Sequence, residues 1–166
     1  MLIKMSIVYL QPSAFYVSPS NDLATRIPKF SLVFFSSTKC IYCKDVLPAF
    51  INVSSVIRGC TFAIMDVDQD SRKIVKMSES TRLPITLVPF IVMYVNGNPV
   101  DVFEPDENNP AANTDLLKKF IIYNANAVKS GTKHVSDKKV CDTSIGMAIC
   151  GKKVCYIKDR DAYKTS

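Results

Sequence analysis

Two short runs of almost entirely apolar residues mark the first half of the chain, at positions 30–35 and 62–67. Neither run shows the strict alternation of a strand with one solvated face. Such runs are typical of strands covered on both faces, in a parallel or mixed sheet that lies between helices. A third run, 90–95, leads into Asn96-Gly97-Asn98, a hairpin signal that tolerates positive φ angles. We therefore predict buried strands at all three runs and a return strand over 100–103.

Three segments carry apolar residues at helical spacing. Pro48 lies inside the first of them and should bend that helix, because proline removes a backbone donor and clashes with the preceding turn. Gly59 closes the first helix, and Thr114 is predicted to cap the last one. The expected helices span residues 40–58, 72–80 and 114 to about 131.

The pattern ahead of Phe30 is weaker. Residues 3–10 predict a strand, and a proline-flanked loop follows it. Asn21 or Asp22 is then predicted to cap a short helix that extends to Arg26. Taken in order, the elements alternate between strands and helices and end in a hairpin and a helix. This order predicts an α/β fold in which helices cover both faces of a mixed central sheet.

Composition divides the 166-residue chain into a near-neutral part and a basic tail. Residues 129–166 hold nine Lys and Arg against four Asp and Glu, so they carry most of the net charge of +6. We therefore predict a domain over 1–128 and a basic extension over 129–166, in which 147–150 and 154–157 form a hairpin. A basic extension suits an acidic partner or a solvated surface. With few aromatic residues among its basic ones, it does not predict nucleic-acid binding.

Six cysteines carry the candidate chemistry, and two of them stand in Cys40-Ile41-Tyr42-Cys43 at the predicted start of a helix. The positive end of that helix favours the thiolate of the first sulfur. Residues 1–10 are apolar but interrupted by Lys4, too short to span a membrane, and poor as an export signal. The expectation is a soluble, cytoplasmic protein without a membrane span. That location favours cysteines that react or bind a metal over a static disulfide framework.

The metal alternative combines Cys40 and Cys43 with two of the tail cysteines in a four-thiolate zinc site. Cys141, Cys150 and Cys155 are separated by eight and four residues, whereas such sites use a second closely spaced pair. The spacing therefore disfavours zinc, and we expect neither a metal nor a cofactor. The single histidine, at position 134, is far from the pair in sequence and is expected at the surface.

Five landmarks in this order resemble the thioredoxin superfamily over about residues 30–125. They are the Cys40–Cys43 motif after a buried strand, Pro48 in the following helix, the acidic turn at 67–70, Pro89 before the next strand, and the Asn96-Gly97 turn. The resemblance implies the thioredoxin-like fold and thiol–disulfide exchange with protein substrates. It also implies roles for Cys40, at the exposed start of the helix, as nucleophile and for Cys43, one turn in and more buried, as resolving thiol. Pro89 would be a cis-proline that shapes the substrate groove.

Residues near the motif have expected supporting roles. The positive charge of Lys39, and more weakly that of Lys44, would favour the thiolate of Cys40, and the backbone of Val88 would face the bound chain. The intervening dipeptide Ile41-Tyr42 is of no standard type for the superfamily, although its tyrosine is similar to that of glutaredoxins. The motif therefore indicates the chemistry more closely than the cellular task.

Other positions depart from thioredoxin itself. The chain has no tryptophan, Phe34 stands where thioredoxin has a buried acid, and Phe90 follows Pro89 in place of the usual threonine. With its long tail, the chain is also loosely similar to thioredoxin-like proteins of large DNA viruses, some of which are virion components. These departures keep open an alternative function as a non-catalytic binding or structural module, in a virion if the protein is viral.

Four cysteines lie outside the motif. Cys60 is expected to pack in the core at the start of a buried strand. Cys141, Cys150 and Cys155 are candidates for additional redox cysteines that exchange electrons with the motif, and the alternative is that they are reduced and packed. The direction of electron flow follows from the reduction potential of the pair relative to that of its partners.

Overall fold

A computed structural model describes residues 7–131 and the short strand at 155–156. Five strands form one mixed sheet, and the remaining strands form two-stranded pairs. The strands are β1 (Val8–Leu10), β2 (Phe15–Val17), β3 (Leu23–Thr25), β4 (Phe30–Ser36), β5 (Cys60–Asp66), β6 (Leu87–Val88), β7 (Phe90–Val95), β8 (Asn98–Phe103) and β9 (Cys155–Tyr156). The helices are α1 (Ile41–Val56), α2 (Gln69–Ser78) and α3 (Asn113–Lys129).

The main sheet has the spatial order β1-β5-β4-β7-β8. Strands β1, β5 and β4 run parallel, whereas β7 is antiparallel to β4 and β8 is antiparallel to β7. The predicted α/β class with a mixed sheet is confirmed. The sheet is mixed because helix α1 connects the parallel strands β4 and β5, whereas the tight Asn96-Gly97 turn can join only antiparallel ones.

Strand β4 is the centre of the core, as its unbroken apolar run predicts. Its residues from Leu32 to Phe35 are fully buried, between β5 on one side and β7 on the other. The ring of Phe34 lies 5.3 Å from that of Phe50, which α1 presents to the sheet. Helices α1 and α3 pack against each other. This packing fixes the carboxyl end of β4, from which the cysteine motif follows.

The helix predicted from Asn21 or Asp22 to Arg26 is wrong. The segment forms β3, which pairs antiparallel with β2, and Asn21 takes a positive φ of 63° in the turn between them. All three residues of β3 are buried, so tertiary packing outweighs the local capping signal. The strand predicted over 3–10 is present at Val8–Leu10, and its part before residue 7 lies outside the described residues.

The helix that carries the motif begins one residue later than predicted, at Ile41, with Cys40 as its N-cap. It contains Pro48, as predicted, and ends at Val56 rather than Arg58. The cysteine motif therefore opens the helix, with its first sulfur just outside the first turn.

The other two helices begin earlier than their patterns indicate. Helix α2 begins at Gln69, but its first turn is irregular, because Asp70, Ser71 and the predicted first residue Arg72 all have positive φ angles. Helix α3 begins at Asn113, and its N-cap is Ala112 rather than Thr114. The Asn113 side chain bonds both backbone groups of Asp106, at 2.7 and 3.1 Å, so it fastens the preceding loop to the helix.

The predicted tail hairpin is only partly within the described residues. Cys155–Tyr156 is a strand, and it pairs antiparallel with Leu87–Val88 of the domain. The predicted partner, 147–150, lies outside the described residues, as do Cys141, Cys150 and His134. The division into 1–128 and 129–166 stays a prediction. Across the described part of the chain, no helix combines the length and apolar character needed to cross a membrane.

Candidate active site

The turn between β4 and α1 is held by Ser37. Its hydroxyl donates to the carboxylate of Asp68 at 2.7 Å and accepts the backbone N–H of Lys39 at 3.2 Å. Its carbonyl accepts the backbone N–H of Cys40 at 3.1 Å. The Ser37 side chain thus links the turn ahead of the motif to the end of the next strand. Sequence patterns indicate the acidic turn near Asp68, but they do not show that it bonds Ser37.

Cys40 caps α1 through its sulfur. The residue has an extended backbone, and its Sγ accepts the backbone N–H of Cys43 at 3.2 Å. A serine or aspartate oxygen usually performs this task at a helix N-terminus. An N–H donor and the positive end of the helix both stabilise negative charge on the capping atom. The cap geometry thus provides one donor to the Cys40 sulfur, and the thiolate expected from the motif's placement stays a prediction.

The segment before β7 is the second wall of the site. The peptide bond between Val88 and Pro89 is cis. The Cys40 thiol donates to the carbonyl of Val88 across 3.7 Å. Residues far apart in sequence are thus brought together as the resemblance implies. The role of Pro89 in binding a substrate remains a proposal.

The expectation of an exposed Cys40 and a more buried Cys43 is wrong. Cys40 is 0% exposed and Cys43 is 4% exposed. Val88, whose carbonyl accepts the Cys40 thiol, is itself fully buried. A position at a helix N-terminus does not guarantee exposure, because a neighbouring segment can cover the sulfur. Both sulfurs are thiols in this structure, with no disulfide between them.

The other motif residues form the outer surface of the site. Lys39 and Lys44 are exposed, and Ile41 is 52% exposed. Tyr42 is half-buried and packs against the core. The exposed surface of the motif is therefore formed by two cationic side chains and an isoleucine.

Phe34 lies in wholly apolar surroundings. It is fully buried, pairs with Ile64 and Ile91 on the neighbouring strands, and its ring contacts that of Phe50. Phe34 therefore presents an aromatic ring that neither accepts nor donates a proton, and its correspondence with a buried acid of thioredoxin stays a prediction.

Cys60 is a structural thiol rather than part of the site. It begins β5 and packs against the core, as predicted. Burial raises the pKa of the Cys60 thiol to about 12, so it stays protonated at neutral pH. Because thiolates are the reactive form, Cys60 serves as an internal unreactive control.

An ion pair supports the segment that leads to Pro89. The guanidinium of Arg82 donates to both carboxylate oxygens of Asp22, at 2.9 and 2.5 Å. The backbone N–H of Arg82 also donates to the carbonyl of Asn21 at 2.9 Å. The side-chain hydrogen bond from Arg82 is the chief cause of a lowered pKa at Asp22. The hairpin of β2 and β3 is thereby fastened to the chain between α2 and β6, a contact that sequence patterns do not reveal.

Metal ligands are not clustered in the described part of the chain. Within residues 7–131, His, Cys, Asp and Glu form no group of three or more that could hold a metal ion. A four-thiolate zinc site would need tail cysteines, of which Cys141 and Cys150 lie outside the described residues.

Sequence comparison relates the chain to viral proteins. No family model matches it. It is 29% identical over 138 residues to the uncharacterized protein 196R of Invertebrate iridescent virus 6, with 81% of this chain and 74% of that protein covered. It is also 29% identical over 143 residues to the uncharacterized protein 020R of Invertebrate iridescent virus 3, covering 81% of this chain and 79% of that protein.

Structural comparison relates the chain to solved thioredoxins. The oxidised thioredoxin of Plasmodium falciparum superposes with a TM-score of 0.51 and 24% identity, over 72% of this chain and 99% of that one. Thioredoxin f of spinach chloroplast superposes with a TM-score of 0.50 and 15% identity, over 76% of this chain and 89% of that one. At these identities the likeness concerns the fold.

Proposed function

The chain has the thioredoxin-like fold, and on that premise we propose that it is a thiol–disulfide oxidoreductase acting on proteins through Cys40 and Cys43. The observation that carries the proposal is the bond from the Cys43 N–H to the Cys40 sulfur, at 3.2 Å, at the start of α1. It prepares Cys40 for attack and keeps Cys43 one helical turn away. The cis Val88–Pro89 bond beside Cys40 supports the same function.

The reaction begins with the Cys40 thiolate attacking one sulfur of a substrate disulfide. A Cys40–substrate disulfide forms, and the other substrate sulfur leaves as a thiolate that takes up a proton from water. Cys43 then attacks Cys40 as a thiolate, which releases the second substrate sulfur and leaves a Cys40–Cys43 disulfide. Two electrons pass from the pair to the substrate, and the reverse sequence oxidises a substrate dithiol.

Proton transfer at Cys43 uses water or substrate groups, because Phe34 supplies no carboxylate. Lys39 and Lys44 are exposed on either side of the motif and add positive charge that attracts an acidic substrate surface. The carbonyl of Val88 accepts the Cys40 thiol in the reduced protein and loses that bond when the thiolate forms. Turnover on a protein therefore requires the wall at Val88 to move away from Cys40.

Insulin reduction with dithiothreitol tests the proposal. The wild-type chain should precipitate the insulin B chain faster than dithiothreitol alone, whereas Cys40→Ser should match the reductant alone. Cys60→Ser is the matched control and should keep the wild-type rate, because that partly buried thiol is protonated and lies opposite Phe30, at the other end of β4 from the motif. If the wild type and Cys40→Ser both reduced insulin only as fast as dithiothreitol alone, the proposed oxidoreductase activity would be excluded.

A second candidate is a non-catalytic binding or structural module, and the complete burial of Cys40 favours it. A fixed scaffold has no need of an accessible sulfur. The insulin assay separates the two functions, since a scaffold gives no turnover with either variant. Similarity to proteins of two invertebrate iridescent viruses supports a viral origin, with action in the cytoplasm of the infected cell or in the virion.

A further inference from the structure

A strand from the tail pairs with the edge of the active site. Strand β9 is antiparallel to β6, with Cys155 opposite Val88 and Tyr156 opposite Leu87. Residues directly opposite each other in an antiparallel ladder have Cα atoms only about 4.5–5.5 Å apart. The register therefore places a third cysteine beside the residue that forms a wall of the site.

Val88 connects the two cysteines. Its carbonyl accepts the thiol of Cys40 at 3.7 Å, and its position in the ladder is opposite Cys155. The next residue, Pro89, follows a cis bond and has no backbone donor, so the ladder ends there. A chain that adds a strand at this edge is positioned by backbone pairing alone, whatever its side chains are. In this structure that chain is the protein's own tail.

We propose that Cys155 is an internal exchange partner of Cys40, an inference that rests on the proposed oxidoreductase function. In the oxidised protein, the Cys155 thiolate attacks Cys40 of the Cys40–Cys43 disulfide. A Cys40–Cys155 bond forms, the Cys40–Cys43 bond breaks, and Cys43 leaves as a thiolate that takes up the proton lost by Cys155. One disulfide replaces another, so no further oxidant is consumed.

Covalent attachment through the chain favours this exchange over attack by an external thiol. Linking the two groups makes the step intramolecular, and the pairing of β9 with β6 adds orientation. The buried state of Cys40 agrees with this role, because an external protein has no open approach to its sulfur while a segment of the same chain is already at the edge. The tail thus supplies a sulfur that competes with external substrates for Cys40.

Trapping the mixed disulfide tests the inference in the full-length chain. Cys43→Ser removes the resolving thiol, and glutathione disulfide then supplies the oxidising equivalents. Cys40 attacks glutathione disulfide, forms a mixed disulfide and releases one glutathione. Cys155 then attacks Cys40 in that mixed disulfide and releases the second glutathione. After alkylation, trypsin separates the relevant cysteines into peptides 40–44, 140–152 and 154–158. The expected product is 40–44 joined to 154–158, in about tenfold excess over 40–44 joined to 140–152.

Two further variants complete the experiment. Cys155→Ser in the Cys43→Ser background should leave Cys40 bound to glutathione, whereas Cys150→Ser is the matched tail control and should leave the 40–44 to 154–158 link unchanged. Cys43→Ala repeats the trap if the serine variant does not fold by circular dichroism. Linkage of Cys40 mainly to 140–152, or its persistence as the glutathione adduct with Cys155 present, would overturn the inference. Either result would overturn only the role of Cys155. The oxidoreductase proposal is tested separately by insulin reduction, which is measured with Cys43 intact.

Discussion

Replacing Ser37 with alanine tests whether its side chain holds the turn that delivers Cys40 to the helix. The hydroxyl is buried, donates to the Asp68 carboxylate at 2.7 Å and accepts the Lys39 N–H at 3.2 Å. A hydrogen bond to a charged group contributes about 1.5–3 kcal/mol to stability. Asp68 and the Lys39 backbone are near solvent, and water replaces part of what the hydroxyl provides. We therefore expect Ser37→Ala to lower the free energy of unfolding by about 1.5 kcal/mol.

A double-mutant cycle isolates the bond itself. Urea unfolding of Ser37→Ala, Asp68→Ala and the double variant should give a coupling energy of about 1 kcal/mol, since each single change already removes the shared bond. Ser55→Ala is the matched control, because its hydroxyl bonds the carbonyl of Asn52 on the exposed side of α1. It should change stability by less than about 0.5 kcal/mol. Additive effects of the two site changes would refute the anchoring role of Ser37.

Two further predictions concern the support of the site. Gly97→Ala should lower the free energy of unfolding by about 2–4 kcal/mol, because φ is +83° there and a Cβ would lie 2.2 Å from the Thr25 carbonyl oxygen. Gly59→Ala is the control, since Gly59 has a similar φ of +79° but no atom within 4 Å of the added Cβ. Thermal unfolding should show a far smaller loss of stability for Gly59→Ala than for Gly97→Ala. Asp22→Asn should destabilise the protein at pH 7 by removing the charge paired with Arg82. Because folding lowers the pKa of Asp22, its stabilising contribution is complete above the unfolded pKa and is lost as pH falls through the folded one. The difference in urea midpoint between wild type and Asp22→Asn should therefore be constant above about pH 4 and begin to shrink only below it, and a difference that stays constant at lower pH would contradict this explanation.

The sheet was largely predictable because its signals are local. Strands β4 and β5 are apolar along nearly their whole length, which is typical of strands covered on both faces. Asn96-Gly97 sets the following hairpin by its own backbone preferences. The β2–β3 hairpin was missed because its strands have three residues each, too few for a period to emerge, and Asn21 favours a turn as readily as a helix cap.

The candidate site was predictable in its residue types but not in its exposure. The helix-opening position of Cys40 and the cis bond at Pro89 follow landmarks with fixed spacing. Cys40 is buried and its thiol bonds the carbonyl of Val88, which is distant in sequence, and the bond from Ser37 to Asp68 spans 31 positions. The pairing of Cys155 with Val88 is more distant still. Patterns of hydrophobicity carry no information about which segments meet in this way.

The central claim, that Cys40 and Cys43 form a redox pair, is tested most directly by equilibrating the full-length chain in glutathione buffers of graded ratio. After acid quenching and alkylation, the tryptic peptide 40–44 reports the state of the pair. We predict a single transition from two alkylated thiols to an internal disulfide, with the steepness of a two-electron couple, while Cys60 stays reduced throughout. Absence of the internal disulfide at every ratio, with Cys40 and Cys43 remaining independent thiols or separate glutathione adducts, would contradict the account.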